Sequence, residues 1–89
     1  METFVSSHTF RADILHLIDK ERDRQDAKWG GVPGIDRTDH NYPCVLGEEF
    51  GEVCKAVLER DLNLGVELVQ VAAVCVAWLE QIMGNGVVV

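Results

Sequence analysis

The sequence predicts an all-α fold in which antiparallel helices form a bundle completed by oligomerisation. Three observations carry this. Apolar residues recur at helical spacing in three separate segments. A stretch rich in glycine and proline and one short polar break divide those segments. The last segment is apolar on nearly every side, and such a helix must be covered on every side. The 89 residues fit a single domain, 1–89. A chain this short buries a small fraction of its surface and has a thin core, so a second subunit is expected to cover what the chain cannot.

The first helix is expected to begin near Ser7 or Thr9, whose hydroxyls can accept a bond from a free helix-start amide. Phe10, Ile14, Leu17 and Ile18 form its apolar stripe. Residues 19–28 are almost wholly polar, so a helix continuing through them faces solvent or a polar site. From Trp29 to Pro43, the residues Gly30, Gly31, Pro33, Gly34 and Pro43 predict a loop. Loops of that length in small domains tend to be functional or disordered.

The second helix is expected over about Cys44 to Arg60, with Leu46, Phe50, Val53, Cys54, Val57 and Leu58 as its apolar stripe. Glu48, Glu52, Lys55 and Glu59 fall on the other side. Glu49 lies at the margin, beside Val45, Val53 and Ala56. Asp61-Leu62-Asn63 predicts a short break, with Asp61 or Asn63 as the cap of a third helix that ends at Gly84. So short a break makes helices two and three antiparallel neighbours.

Lys and Arg number 8 against 15 Asp and Glu, a net charge of −7. That excess argues against binding to a nucleic acid polymer, where phosphates must be neutralised by cations. Cys44, Cys54 and Cys75 are odd in number, lack zinc-pair spacing and sit beside apolar residues. They are expected as buried free thiols in a reducing compartment. Met1 to Thr9 shows no signal-peptide pattern. The longest unbroken apolar run, Val71 to Leu79, is short of the roughly 20 residues that span a bilayer. The expectation is a cytoplasmic protein without a membrane partner.

Chemistry is expected where helices two and three meet. At about 100° per residue, Asn63, Glu67, Gln70 and Gln81 fall within roughly 60° of one another. Glu67 and Gln70 interrupt an otherwise apolar surface, where a carboxylate is costly unless paired, hydrogen-bonded or bound to a metal. Glu49 and Glu52, three apart, are neighbours on helix two. Helix axes about 8–10 Å apart let facing glutamates reach one ion. Oxygen donors alone suit a hard cation, Mg²⁺ or Mn²⁺.

Glu48-Glu49-Phe50-Gly51-Glu52-Val53 followed by Glu67-Leu68-Val69-Gln70 resembles the paired acidic signature of the MazG-like all-α nucleoside triphosphate pyrophosphohydrolases. The segment from Glu21 to Gly30 and the stretch from Glu67 to Glu80 are similar to the phage-type branch of that family. The resemblance covers roughly residues 14–83. It implies hydrolysis of a nucleoside triphosphate to the monophosphate and pyrophosphate, with attack at the α-phosphorus. It implies Mg²⁺, or Mn²⁺, on Glu49, Glu52 and Glu67. The fourth ligand position, normally Asp in the family, is Gln70. Glu48 or a metal-bound carboxylate would orient the water. Lys55, Arg24 and Lys28 are candidate phosphate contacts, and Trp29 is a candidate stacking surface for the base. The expected assembly is a homodimer or homotetramer in which helices two and three pack into a shared bundle. The alternative is a non-catalytic nucleotide-binding or regulatory oligomer of the same fold, with Gln70 as the lost ligand.

Overall fold

A computed structural model describes residues 7–29 and 41–89, the side chains of Ser7, His8 and Trp29 excepted. Three helices and no strand are present among these residues: α1 (Ser7–Trp29), α2 (Asn41–Leu58) and α3 (Leu64–Gly84). α3 is the shared element, packing against both α2 and α1.

α1 runs unbroken through the polar tract. Its burial is the reverse of a simple amphipathic reading. Arg22 and Gln25 are buried, whereas Phe10, Ile14 and Leu17 are about half exposed. The polar pair is buried because each side chain finds hydrogen-bond partners, described below, which removes the usual cost of desolvation.

α2 begins at Asn41, earlier than expected, so Tyr42 and Pro43 are helical; the rest of the expected loop, residues 30–40, lies outside the described residues. Proline is tolerated in a first turn because those amides have no intrahelical acceptor to lose. The packed face also differs from the expected stripe. Val53 and Ala56 are buried and Tyr42, Val45, Leu46 and Glu49 half-buried, while Phe50, Cys54, Val57 and Leu58 are exposed. Those packed positions follow an i, i+3, i+4, i+7 pattern, and Glu49 sits inside it. Cys44 and Cys54 are exposed and Cys75 half-buried, all three free, so the expected burial of the thiols does not hold for the two on α2.

α2 ends at Leu58 rather than Arg60 because Arg60 takes a left-handed conformation, φ 52°. The Asp61 amide donates to the Ala56 carbonyl at 2.8 Å and the Arg60 amide to Val57 at 3.2 Å. This is a Schellman cap with arginine where glycine is usual. The Asp61 carboxylate then accepts from the Asn63 amide at 2.9 Å. Asn63 is the N-cap of α3, but its side chain makes no capping bond. At the far end, Gly84 stays helical. The left-handed glycine is Gly86, φ 89°, and the amides of Gly86 and Val87 close on Met83 and Ile82 at 3.0 and 3.3 Å.

Tyr42 and Trp78 stack with ring centroids 5.7 Å apart and planes 9° from parallel. Because one ring lies at the start of α2 and the other near the end of α3, this contact shows the two helices antiparallel. Val53, Ala56, Ala73 and Val74 form the small buried core. The rest of α3 is mostly half-buried. α3 is 21 residues long, long and apolar enough by length and composition to cross a membrane.

Candidate functional site

Glu49 is where the three helices bear on one another electrostatically. It lies seven residues after Tyr42, two turns along and within about 20° of it on α2. Glu67 lies eleven residues before Trp78 on α3, again within about 20°. Since Tyr42 and Trp78 stack, Glu49 and Glu67 occupy the same seam, nearer the α2–α3 turn. Both are half-buried, as is Gln70, whereas Glu48 and Glu52 are exposed.

The Glu49 carboxyl is held above the ordinary carboxylate range, first by burial and then by the negative charges of Glu67, Glu52, Glu21 and Glu48. Four carboxylates thus act on a fifth, and they come from all three helices. Charge repulsion of this kind is unfavourable to the fold and is relieved by a proton or a cation.

α1 brings both signs to this seam. Arg24 donates from Nε and Nη2 to the two carboxylate oxygens of Glu21, each at 2.7 Å. That bidentate bond to Arg24 is the main reason the Glu21 carboxyl lies below its ordinary range. The Arg24 guanidinium in turn is raised, chiefly by Glu21 and to a small degree by the field of Glu49. The Gln25 amide donates to Glu21 at 3.2 Å, and its oxygen accepts from Arg22 at 3.4 Å. Arg22 closes the chain of bonds onto α3, donating from Nε and Nη2 to the carboxylate of Glu80, both at 3.0 Å, and also from Nη2 to Asp26 at 2.9 Å. A continuous hydrogen-bonded path therefore runs from Glu80 through Arg22 and Gln25 to Glu21, the α1 carboxylate that acts on Glu49.

Of the residues singled out from sequence, the structure brings Glu48, Glu49, Glu52, Glu67 and Arg24 into one electrostatic neighbourhood. Gln70 lies one turn from Glu67 on α3. Lys28, exposed, acts on Glu21. Lys55 is exposed on α2 and contributes to none of the shifts that mark this neighbourhood. The side chain of Trp29 lies outside the described residues. Among the described residues, no three His, Cys, Asp or Glu side chains are disposed as they stand to hold a metal ion. The donor chemistry suits a hard cation, and the exposed Glu48 and Glu52 side chains have room to reorient. Gln81, on the same strip as Gln70, carries a buried Oε1 that accepts no hydrogen bond among the described residues.

Glu21, Arg22, Gln25 and Glu80 were not candidates from sequence. The readable signals were the Arg22–Asp26 and Glu21–Arg24 spacings of four and three residues on one helix. The link to Glu80, 58 residues away, had none. No family model matches this chain, and neither a curated protein nor a solved structure does.

Proposed function

We propose that this chain is a metal-dependent nucleoside triphosphate pyrophosphohydrolase of the MazG-like all-α kind, converting a (d)NTP to the (d)NMP and pyrophosphate. The observation that supports the reading is that half-buried Glu49 and Glu67 share the α2–α3 seam, where the charges of Glu67, Glu52, Glu21 and Glu48 bear on Glu49. In a protein of net charge −7, such an acidic seam is relieved by a proton or by a cation, and a bound cation is the proposed relief.

Glu49, Glu52 and Glu67, with the amide oxygen of Gln70, would hold Mg²⁺ or Mn²⁺. When bound, the ion supplies the positive charge that lets an acidic surface accept a triphosphate. The chain's own task is then to hold phosphate and water in line. Glu48 or one of the ligating carboxylates orients the water towards the α-phosphorus. Arg24, held by Glu21, is the cation best placed to meet a phosphate. Lys28 lies a turn further along α1, Trp29 ends that helix as the candidate base contact, and Lys55 is the more remote candidate. In a homodimer or homotetramer, α2 and α3 of paired copies would pack into a shared four-helix bundle. A cytoplasmic setting suits the free thiols and a soluble nucleotide pool.

One observation favours a second reading. Gln70 brings no charge to a position where the family carries Asp, which suits a non-catalytic nucleotide-binding or regulatory oligomer. A screen of the common NTPs and dNTPs for pyrophosphate release, with Mg²⁺ and with excess EDTA, separates the two. Release that EDTA abolishes supports the enzyme. Metal-dependent nucleotide binding without release supports the binding module.

A further inference from the structure

We propose that Glu21 and Gln25 are positioning residues for phosphate recognition: together they fix Arg24 so that the free edge of its guanidinium meets two oxygens of a phosphate. The inference rests on the nucleotide reading above and gives a role to two α1 residues outside its ligand set.

Glu21 is built as a fixed acceptor. Its side chain is 11% exposed. It accepts three bonds, from Nε and Nη2 of Arg24 at 2.7 Å each and from Nε2 of Gln25 at 3.2 Å. Gln25 is itself buried, and its amide oxygen accepts from Arg22, which is bonded twice to Glu80 on α3. The carboxylate that holds Arg24 is therefore braced, through two buried side chains, against the helix that carries Glu67 and Gln70. An apolar pair would fill the same space without desolvating a guanidinium and an amide. What the polar pair adds is direction, since each donor and acceptor allows a narrow range of geometry.

Arg24 keeps donors to offer. A guanidinium has five N–H donors, and Glu21 takes one on Nε and one on Nη2. Both donors on Nη1 and the second on Nη2 have no acceptor among the described residues, and the side chain is 54% exposed. That Nη1–Nη2 edge matches two oxygens of one phosphate. A guanidinium already fixed by a carboxylate loses less freedom on binding than a free one. The brace also keeps Arg24 off the acidic seam. The charge of Glu49 acts on Arg24, so an arginine released by Glu21 would turn to carboxylates that the proposed cation needs.

The test is a calorimetric titration of the full chain with inorganic tripolyphosphate in Mg²⁺ at fixed ionic strength, a readout independent of turnover. Arg24→Gln should weaken binding about 10-fold. Glu21→Gln separates positioning from charge by its sign. Removing an acid beside a polyanion tightens binding by charge alone, whereas loss of the brace should weaken it about 3-fold or more. In the Arg24→Gln background, with nothing left to position, Glu21→Gln should tighten binding. Gln25→Leu, which keeps the bulk of a buried side chain, should weaken binding about 3-fold with Arg24 present and leave it unchanged without Arg24. Circular dichroism checks that each variant keeps its helix content. Glu21→Gln that tightens binding in both backgrounds would overturn the proposal, as would an equal effect of Gln25→Leu in both, or wild type that binds no tripolyphosphate. The enzyme reading fails by a different result, binding of tripolyphosphate with no pyrophosphate released from any nucleotide, which leaves the positioning role standing.

Discussion

Arg22 on α1 and Glu80 on α3 are joined by two parallel hydrogen bonds of 3.0 Å, with the arginine side chain 8% exposed and the glutamate 55% exposed. The geometry is the bidentate fork that makes arginine–carboxylate pairs strong and directional. Removing Glu80 leaves a buried guanidinium with Asp26 and Gln25 as its remaining partners. Glu80→Ala is expected to cost about 1–3 kcal/mol in urea unfolding. A double-mutant cycle with Arg22→Ala should show a favourable coupling. Additive effects would mean the pair does not join α1 to α3 in solution.

Arg60 holds a left-handed backbone, φ 52°, in a cap that glycine fills without strain. Arg60→Gly should therefore stabilise the fold by about 1 kcal/mol. Gly86→Ala, at φ 89°, should destabilise by a similar amount, even though an added Cβ would meet open space. Chemical denaturation of both variants checks the pair of signs. Destabilisation by Arg60→Gly would show that the α2–α3 turn is built differently.

The pH dependence should carry two opposed contributions. The folded Glu49 carboxyl is raised, by burial first and by Glu67 and its acidic neighbours next. The native state thus binds this proton more tightly than the unfolded chain, and Glu49's contribution to stability falls as pH rises through the window above about 4.5. Glu21 is lowered by its bond to Arg24, so its contribution is present above the same value and is lost as pH falls through the depressed one. Glu49→Gln should raise the Tm at pH 7 and flatten the decline above 4.5, and Glu21→Gln should lower it. Tm profiles from pH 3 to 8 read both effects. A Glu49→Gln profile parallel to that of wild type would remove the electrostatic case for the site.

Gln70 is half-buried, one turn after Glu67. If it borders the ion, Gln70→Asp adds a charge there and should tighten Mg²⁺ binding several-fold, while lowering metal-free stability through repulsion of Glu67 and Glu49. A calorimetric Mg²⁺ titration and a Tm in EDTA check the two halves. Unchanged values in both would place Gln70 outside the site.

The three helices and the α2–α3 hairpin were readable because their signals are local: periodicity, a short polar break and terminal glycines. The placing of Glu49 and Glu52 on one helix and Glu67 on its neighbour was readable for the same reason. What escaped was set by tertiary contact. The polar tract of α1 looked solvated, but Arg22 and Gln25 are buried because Glu80 and Glu21 satisfy them. The face of α2 was misjudged because Phe50 and Val57 outweigh Ala56 in apolarity, whereas a small residue suits a close helix approach. Tyr42 and Pro43 were assigned to the loop on the strength of the proline, which a first turn accommodates.

The central claim is that the acidic seam around Glu49 holds a cation that serves nucleotide hydrolysis. Its most direct test is the release of pyrophosphate and nucleoside monophosphate from a panel of NTPs and dNTPs by wild type and Glu52→Gln, in Mg²⁺ and in EDTA. Glu52 is exposed, so its replacement should preserve helix content by circular dichroism. The account predicts Mg²⁺-dependent release by wild type, a loss of at least about 100-fold in Glu52→Gln, and none above background in EDTA. Full turnover in EDTA, or Glu52→Gln as active as wild type, would contradict it.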